Sequence, residues 1–148
     1  MPACGAAHPV VREVRRRLGN HLRFVYRHFP LSNVHPHAET AAEAAEAAGA
    51  QHRFWEMHDV LFDDQEALDG EDLLAHAKAI GLDVAQFGLE LSAGKYAPRV
   101  HEDFASGIRS GVNGTPTFYI NGARHDGGHD VVSLIEAIQL ARGARGAV

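Results

Sequence analysis

The stretch GVNGTPTFYINGARHD, residues 111–126, is the part of the sequence that decides the fold class. Pro116 has no backbone N–H to give to a strand, so it suits the position just before a strand begins. Aromatic and β-branched residues follow it, and Asn121-Gly122 is a strong signal for a two-residue hairpin turn. We therefore predict a β-hairpin with strands over 117–120 and 123–126.

Upstream of this stretch, the pattern changes from one strand to a block of helices. Residues 21–29 alternate in polarity and are rich in aromatic and β-branched side chains, which is typical of a strand. Apolar residues at helical spacing then recur without an intervening strand from residue 36 to residue 110. We predict helices over 5–18, 39–50, 54–62, 70–80, 83–91 and 96–108, and a last one capped by Asp130.

Length and composition indicate one α/β domain over residues 1–148, with the helical block 36–110 as an insertion within it. The net charge is −5 and the basic residues form no extended face, so we expect no nucleic-acid partner. No apolar run reaches the ~18 residues of a membrane helix, so we expect no membrane partner. The N-terminus lacks signal-peptide character, which predicts a cytoplasmic protein as given and an extracytoplasmic one if an export signal lies upstream.

Cys4 is the single cysteine, and it lies at the start of the first predicted helix. The positive end of the helix dipole and the unpaired N–H groups of the first turn both favour a thiolate there. The alternative is that Cys4 is a small buried apolar residue, since free cysteines are often buried. His8 lies one helical turn further along the same face, where it is either a neighbour that influences the thiol or a surface histidine.

The same elements, in the same order, resemble the thioredoxin fold with the helical insertion of the disulfide-forming DsbA family. The similarity covers nearly the whole chain and rests on four segments: PACGAAHP (2–9), FVYRHFPLS (24–32) followed by HPHA (35–38), FWEMHD (54–59) and GVNGTPTF (111–118). The resemblance implies that Cys4 matches the second, resolving cysteine of the family motif. It also implies that Pro116, preceded by Thr115, is a cis-proline that faces the redox site and whose backbone pairs with substrate polypeptide.

The sequence departs from the family pattern at its N-terminus. Met1 stands where the family has its first motif cysteine, and the family's first core strand has no counterpart. Thiol–disulfide exchange runs through a mixed disulfide that a second thiol resolves, so one cysteine cannot complete the cycle alone. A missing core strand leaves a sheet edge open, and we expect a homodimer or another element to cover that edge. The alternative is that the chain is a fragment whose natural start lies upstream.

Three functions are compatible with these features. The first is a thiol–disulfide oxidoreductase of the DsbA-like class, acting on protein thiols and disulfides or on glutathione, with the site residues Cys4, Thr115 and Pro116. The second is a thioredoxin-like module that binds polypeptide without catalysis. The third is a glutathione-linked transferase or isomerase. We predict neither an organic cofactor nor a metal, because the close histidine pairs, 35 with 37 and 125 with 129, are far apart in sequence.

Overall fold

The computed structural model of the chain describes the backbone of residues 2–146 and the side chains of residues 2–144. These residues form two compact units. Residues 27–111 form the first, which we call the helical unit. Residues 2–26 together with the segment from 112 onward form the second, which we call the cysteine unit. The helical unit contains the whole predicted insertion, 36–110, and the assignment of one domain to the full chain stays a prediction.

Seven helices and one hairpin make up the regular structure of the described residues, joined after the first helix by a 3₁₀ turn at Gly19–His21. The elements are α1 (Pro2–Leu18), α2 (Ala38–Gly49), α3 (Phe54–Asp63), α4 (Gly70–Ala79), α5 (Val84–Ser92), α6 (Ala97–Arg109), β1 (Tyr119–Ile120), β2 (Ala123–Arg124) and α7 (Val131–Gly146). Among residues 2–146, no helix is long and apolar enough to cross a membrane.

The core of the helical unit forms around the alanine-rich helix α2. Alanine has the highest helix propensity and the smallest side chain that still fills space, so neighbouring helices can approach α2 closely. Larger apolar side chains from α3, α4 and α5 complete the cluster around it. The fully buried members are Ala44, Ala47, Ala48, Met57, Leu73, Ala77 and Phe87.

Aspartates define where two of the surrounding helices begin. Asp69 accepts the N–H of Asp72 at 2.9 Å, and Asp72 in turn accepts the N–H of Asp69 at 3.3 Å. This reciprocal pair is a capping box, and it satisfies two donors at the start of α4. Asp83 caps α5 in the simpler way, by accepting the N–H of Gln86 at 3.0 Å.

A buried polar network ties the segment before α2 to α2 and α6. The Asp103 carboxylate, only 3% exposed, accepts the backbone N–H of His28 at 3.1 Å and an Arg99 N–H at 2.9 Å. The His28 ring donates from Nε2 to Glu46 at 2.9 Å, and this bond holds the pKa of the Glu46 carboxyl below its ordinary value. Buried polar groups are costly unless they are paired, and each of these residues has a partner in the network.

The cysteine unit contains α1, α7 and the hairpin. Strand β1 pairs antiparallel with β2, with Tyr119 opposite Arg124 and Ile120 opposite Ala123. The turn residues Asn121 and Gly122 have φ angles of 50° and 85°, which are the left-handed values that a hairpin turn of this type requires. The predicted hairpin is therefore confirmed, although its regular strands are two residues long rather than four.

The predicted strand over residues 21–29 is wrong as a sheet strand. His21 ends the 3₁₀ turn, and residues 22–30 are not assigned to a strand. The sheet of the described residues consists of β1 and β2 only. Burial still alternates along residues 22–29, as the sequence indicated, but a strand also needs a neighbour at hydrogen-bonding distance.

We predict that replacing Asp103 with alanine lowers the free energy of unfolding by ~1–3 kcal/mol, because the buried N–H of His28 loses its acceptor. Urea unfolding followed by circular dichroism measures the change. Glu102→Ala is the matched control, since Glu102 is the preceding residue of α6 and its side chain is 63% exposed. Equal unfolding midpoints for the two variants would contradict the structural role of Asp103.

Candidate functional site

Cys4 is the third residue of α1, so it lies in the first turn of that helix. This position is the one predicted from the sequence. The N–H groups of a first helical turn have no partner within the helix, and they stabilise negative charge nearby. The residue is 9% exposed and its thiol is free. Cys4 is therefore accessible from solvent only through a narrow surface.

His8 follows Cys4 by one turn and is also buried, at 9% exposure. The Arg12 guanidinium lies 3.2 Å from Nε2 of His8. A guanidinium can only donate hydrogen bonds, so Nε2 is the acceptor of this contact. The sequence placed His8 on the face of Cys4 but could not show that Arg12 engages its ring.

The second predicted element of the site is the loop that leads into the hairpin. The Thr115–Pro116 peptide bond is cis. The Thr117 hydroxyl donates to the carbonyl of Gly114 at 2.6 Å and so bridges the two sides of this bond. Further along, the N–H of His125 donates to the carbonyl of Phe118 at 2.8 Å, which extends the hairpin pairing back towards the loop.

The loop after the hairpin leads into α7 through a tightly packed glycine pair. The Asp130 carboxylate caps α7 by accepting the N–H of Ser133 at 2.9 Å and its hydroxyl at 2.7 Å. A Cβ atom on Gly128 would come within 2.7 Å of an Asp130 oxygen, so a larger residue there would displace the capping side chain. The His125 ring donates from Nε2 to the carbonyl of Gly128 at 2.8 Å and closes the loop.

Helix α7 connects the two parts of the candidate site. It packs against α1, which carries Cys4, and against β1, which follows the Thr115–Pro116 loop. Cys4, Thr115 and Pro116 thus belong to one compact unit, the cysteine unit. Their joint participation in chemistry stays a prediction.

One group in the helical unit has the composition of a metal site. His28, Glu46 and Asp103 each offer a ligand atom, and these atoms lie within 4.8 Å of one another. In the structure, the same residues bond to each other and to Arg99, whose positive charge opposes a cation at this place. The arrangement is accounted for as a hydrogen-bond network that anchors the unit.

Sequence reasoning missed this network. The one available signal in the sequence was the position of Asp103. It lies three residues after Val100 and directly before Phe104, so its carboxylate falls beside the apolar face of α6. A charged residue on such a face indicates a buried partner. The sequence gives no indication that this partner is the backbone N–H of His28, 75 residues earlier.

Comparison with known proteins identifies the family. A family model described as thioredoxin matches residues 2–139 of the chain. The chain belongs to the thioredoxin family. This assignment and the structural likeness below confirm the predicted α/β thioredoxin-like, DsbA-like fold.

A solved structure supports the same fold. It is described as a thioredoxin-like oxidoreductase from Silicibacter pomeroyi DSS-3, and it superimposes on this thioredoxin-family chain with a TM-score of 0.84. The two sequences are 26% identical, and the likeness covers 97% of this chain and 81% of the other.

Curated relatives are much longer than the chain. A protein named Na(+)/H(+) antiporter NhaA 1 from Salinispora arenicola is 46% identical over 140 residues, which are 95% of this chain and 21% of that protein. Another, named Na(+)/H(+) antiporter NhaA, from Herminiimonas arsenicoxydans, is 38% identical and is covered to 20%. The thioredoxin-family chain thus spans about a fifth of the length of these relatives.

We predict that Asp130→Ala lowers the melting temperature at neutral pH, because α7 loses the acceptor that caps its first turn. Hydrogen bonds from the backbone N–H and hydroxyl of Ser133 hold the pKa of the Asp130 carboxyl below its ordinary value. The stabilising effect is therefore present above that value, and it is lost as the pH falls through the lowered pKa. The difference between the wild type and Asp130→Ala should shrink accordingly in acid.

Thermal melts followed by circular dichroism at neutral and acidic pH test this cap. Glu136→Ala serves as the control, since Glu136 is an exposed acid of the same helix. A melting temperature lowered equally at all pH values would show that the Asp130 carboxylate charge does not stabilise α7.

Proposed function

We propose that this chain is a thiol–disulfide exchange domain in which Cys4 is the reacting thiol and the Thr115–Pro116 loop receives the substrate polypeptide. The observation that carries the proposal is the position of Cys4 in the first turn of α1, within a thioredoxin-family chain. The molecules that react with Cys4 are those that supply a second sulfur. They are proteins that contain a disulfide, and glutathione.

The exchange proceeds in balanced steps. The Cys4 thiolate attacks one sulfur of a substrate disulfide, which forms a mixed disulfide and releases the other substrate sulfur as a thiolate that takes up a proton. A glutathione thiolate then attacks the Cys4 sulfur and releases the remaining substrate thiol. A second glutathione attacks the bound glutathione sulfur, which yields glutathione disulfide and frees Cys4. Two glutathiones are oxidised for each substrate disulfide reduced.

The positions around Cys4 suit the first of these steps. The helix terminus places unpaired N–H groups and the positive end of the α1 dipole near the sulfur, where negative charge must be stabilised before attack. In this proposal, the N-terminus of α1 is the group that activates the thiol.

A second candidate function is a polypeptide-binding module without catalysis. The burial of Cys4 favours it, because a thiol that is 9% exposed is less accessible to a bulky disulfide. The two functions differ in whether substrate disulfides are reduced: an exchange domain reduces them in repeated cycles. A binding module holds the polypeptide without changing its disulfides.

We predict that the chain accelerates the reduction of insulin disulfides by glutathione and that Cys4→Ser returns the rate to that of glutathione alone. The rate of precipitation of the freed insulin chains measures the reaction. Ala3→Ser is the matched control, because it changes an exposed residue of the same helical turn and leaves the thiol in place.

Each outcome decides between the candidates. Acceleration that persists in Cys4→Ser would overturn the assignment of Cys4 as the reacting thiol. No acceleration by the wild type, together with saturable binding of unfolded insulin chains, would replace the exchange domain with the binding module.

A further inference from the structure

The helical unit has an open groove between the start of α4 and the second half of α5. Its α4 wall is formed by Asp69, Glu71 and Leu74, and its α5 wall by Gly88, Leu91 and Ser92. The groove has a volume of about 340 Å³ and a mostly apolar lining. Leu74 is 38% exposed, so part of this apolar surface is in contact with water. Covering such surface with an apolar side chain is favourable.

Gly88 keeps the α5 side of the groove open. Glycine is the least favourable residue after proline in the interior of a helix. Gly88 lies inside α5 without a left-handed φ angle, so its backbone does not require glycine. A Cβ atom there would meet Cδ2 of Leu74 at 3.4 Å, which is an ordinary contact. The packing of the unit therefore tolerates a side chain at this position, and its absence leaves space between the two helices.

The rim of the groove is acidic. Asp69 and Glu71 are both exposed, and among the described residues no lysine or arginine forms an ion pair with either of them. The hydrogen bond from the backbone of Asp72 holds the pKa of the Asp69 carboxyl below its ordinary value, so this group is charged at neutral pH. Residues 27–111 contain 15 of the 19 acidic side chains of the chain but only 6 of its 14 basic ones. The groove thus lies in a negatively charged unit.

We propose that this groove binds a polypeptide segment in which an apolar side chain is flanked by lysine or arginine. The apolar side chain covers Leu74 and Leu91, and the basic side chains lie beside the carboxylates of the rim. The proposal goes beyond the proposed function, because every residue of the groove belongs to the helical unit and no thiol takes part.

The two parts of the groove contribute differently to binding. Apolar burial supplies the affinity, whereas exposed ion pairs add little to it. The carboxylates instead select the sign of the charge, because a negatively charged segment would be repelled. An open groove with exposed walls suits a side chain of a polypeptide better than a free small molecule, since small-molecule sites bury most of the surface of their ligand.

Fluorescence anisotropy tests the proposal with a dye-labelled octapeptide that carries two leucines flanked by lysines. We expect saturable binding to the full chain that weakens as the salt concentration rises, because the rim charges are exposed. A peptide with glutamates in place of the lysines should bind at least ~10-fold more weakly, because its charge is repelled by the rim. A peptide with serines in place of the leucines should show a loss of similar size, because it has no apolar side chain to bury.

Two pairs of variants locate the binding. Gly88→Leu fills the groove and should weaken binding by ~10-fold or more, whereas Gly88→Ala adds only the Cβ atom that fits and should bind nearly as the wild type does. Glu71→Gln removes one rim charge and should weaken binding by roughly 2- to 5-fold. Glu102→Gln is its control, since Glu102 is an exposed acid on α6 of the same unit. Asp69 is kept, because it caps α4.

The wild-type chain gives a further readout that does not depend on the folding of a variant. In amide NMR spectra, the lysine peptide should shift the resonances of residues 69–74 and 88–92. The same shifts should occur in Cys4→Ser, because the groove needs no thiol. Peptide binding by a chain that fails to accelerate insulin reduction would therefore support this proposal while rejecting the exchange chemistry.

Four results would overturn the proposal: no saturable binding of the lysine peptide, equal binding of the lysine and glutamate peptides, equal binding to Gly88→Leu and the wild type, or NMR shifts confined to other residues. Self-association of the chain that is lost in Gly88→Leu, without peptide binding, would also overturn it. That result would assign the groove to a second copy of the chain.

Discussion

Every disulfide that Cys4 forms takes its second sulfur from outside these 148 residues, because the sequence contains no other cysteine. This constraint governs the chemistry that the chain can perform. An internal dithiol can store two electrons, whereas a single thiol passes through a mixed disulfide with a sulfur from outside these residues. In the proposed cycle, glutathione supplies that second sulfur.

The two units are stabilised by different contacts. In the cysteine unit, α7 packs on α1 and on β1, so the helix that carries the thiol and the hairpin after the Thr115–Pro116 loop share a neighbour. The helical unit is stabilised by its own core around α2 and by the bond from His28 to the buried carboxylate of Asp103. Its polar network uses residues that could bind a metal, but the network satisfies them with hydrogen bonds.

Local signals in the sequence predicted much of the fold. The hairpin turn followed from Asn121-Gly122, because those residue types tolerate the left-handed angles that the turn needs. Asp130 marked the start of α7, because a cap acts on residues three positions away. The six helices before the hairpin lie within a few residues of their predicted bounds for the same reason, since helical periodicity is a local property.

Features that depend on distant residues could not be predicted in this way. The alternating segment around Val25 has the pattern of a strand, but whether it joins a sheet depends on a neighbouring strand that no local pattern reports. The partner of Asp103 lies 75 residues away in sequence. Within the candidate site, the position of Cys4 in α1 was predictable, while its burial and the contact of Arg12 with His8 required the folded chain.

The central claim is that the fold makes Cys4 a reactive thiol and not merely a buried one. The most direct test compares the rate at which glutathione disulfide modifies Cys4 in the native chain with the rate in the urea-unfolded chain, at the same pH, by intact mass spectrometry. We predict faster modification of the native chain, with one glutathione bound, because the start of α1 stabilises the attacking thiolate. Slower modification of the native chain than of the unfolded chain would contradict the account and identify Cys4 as a residue of the core.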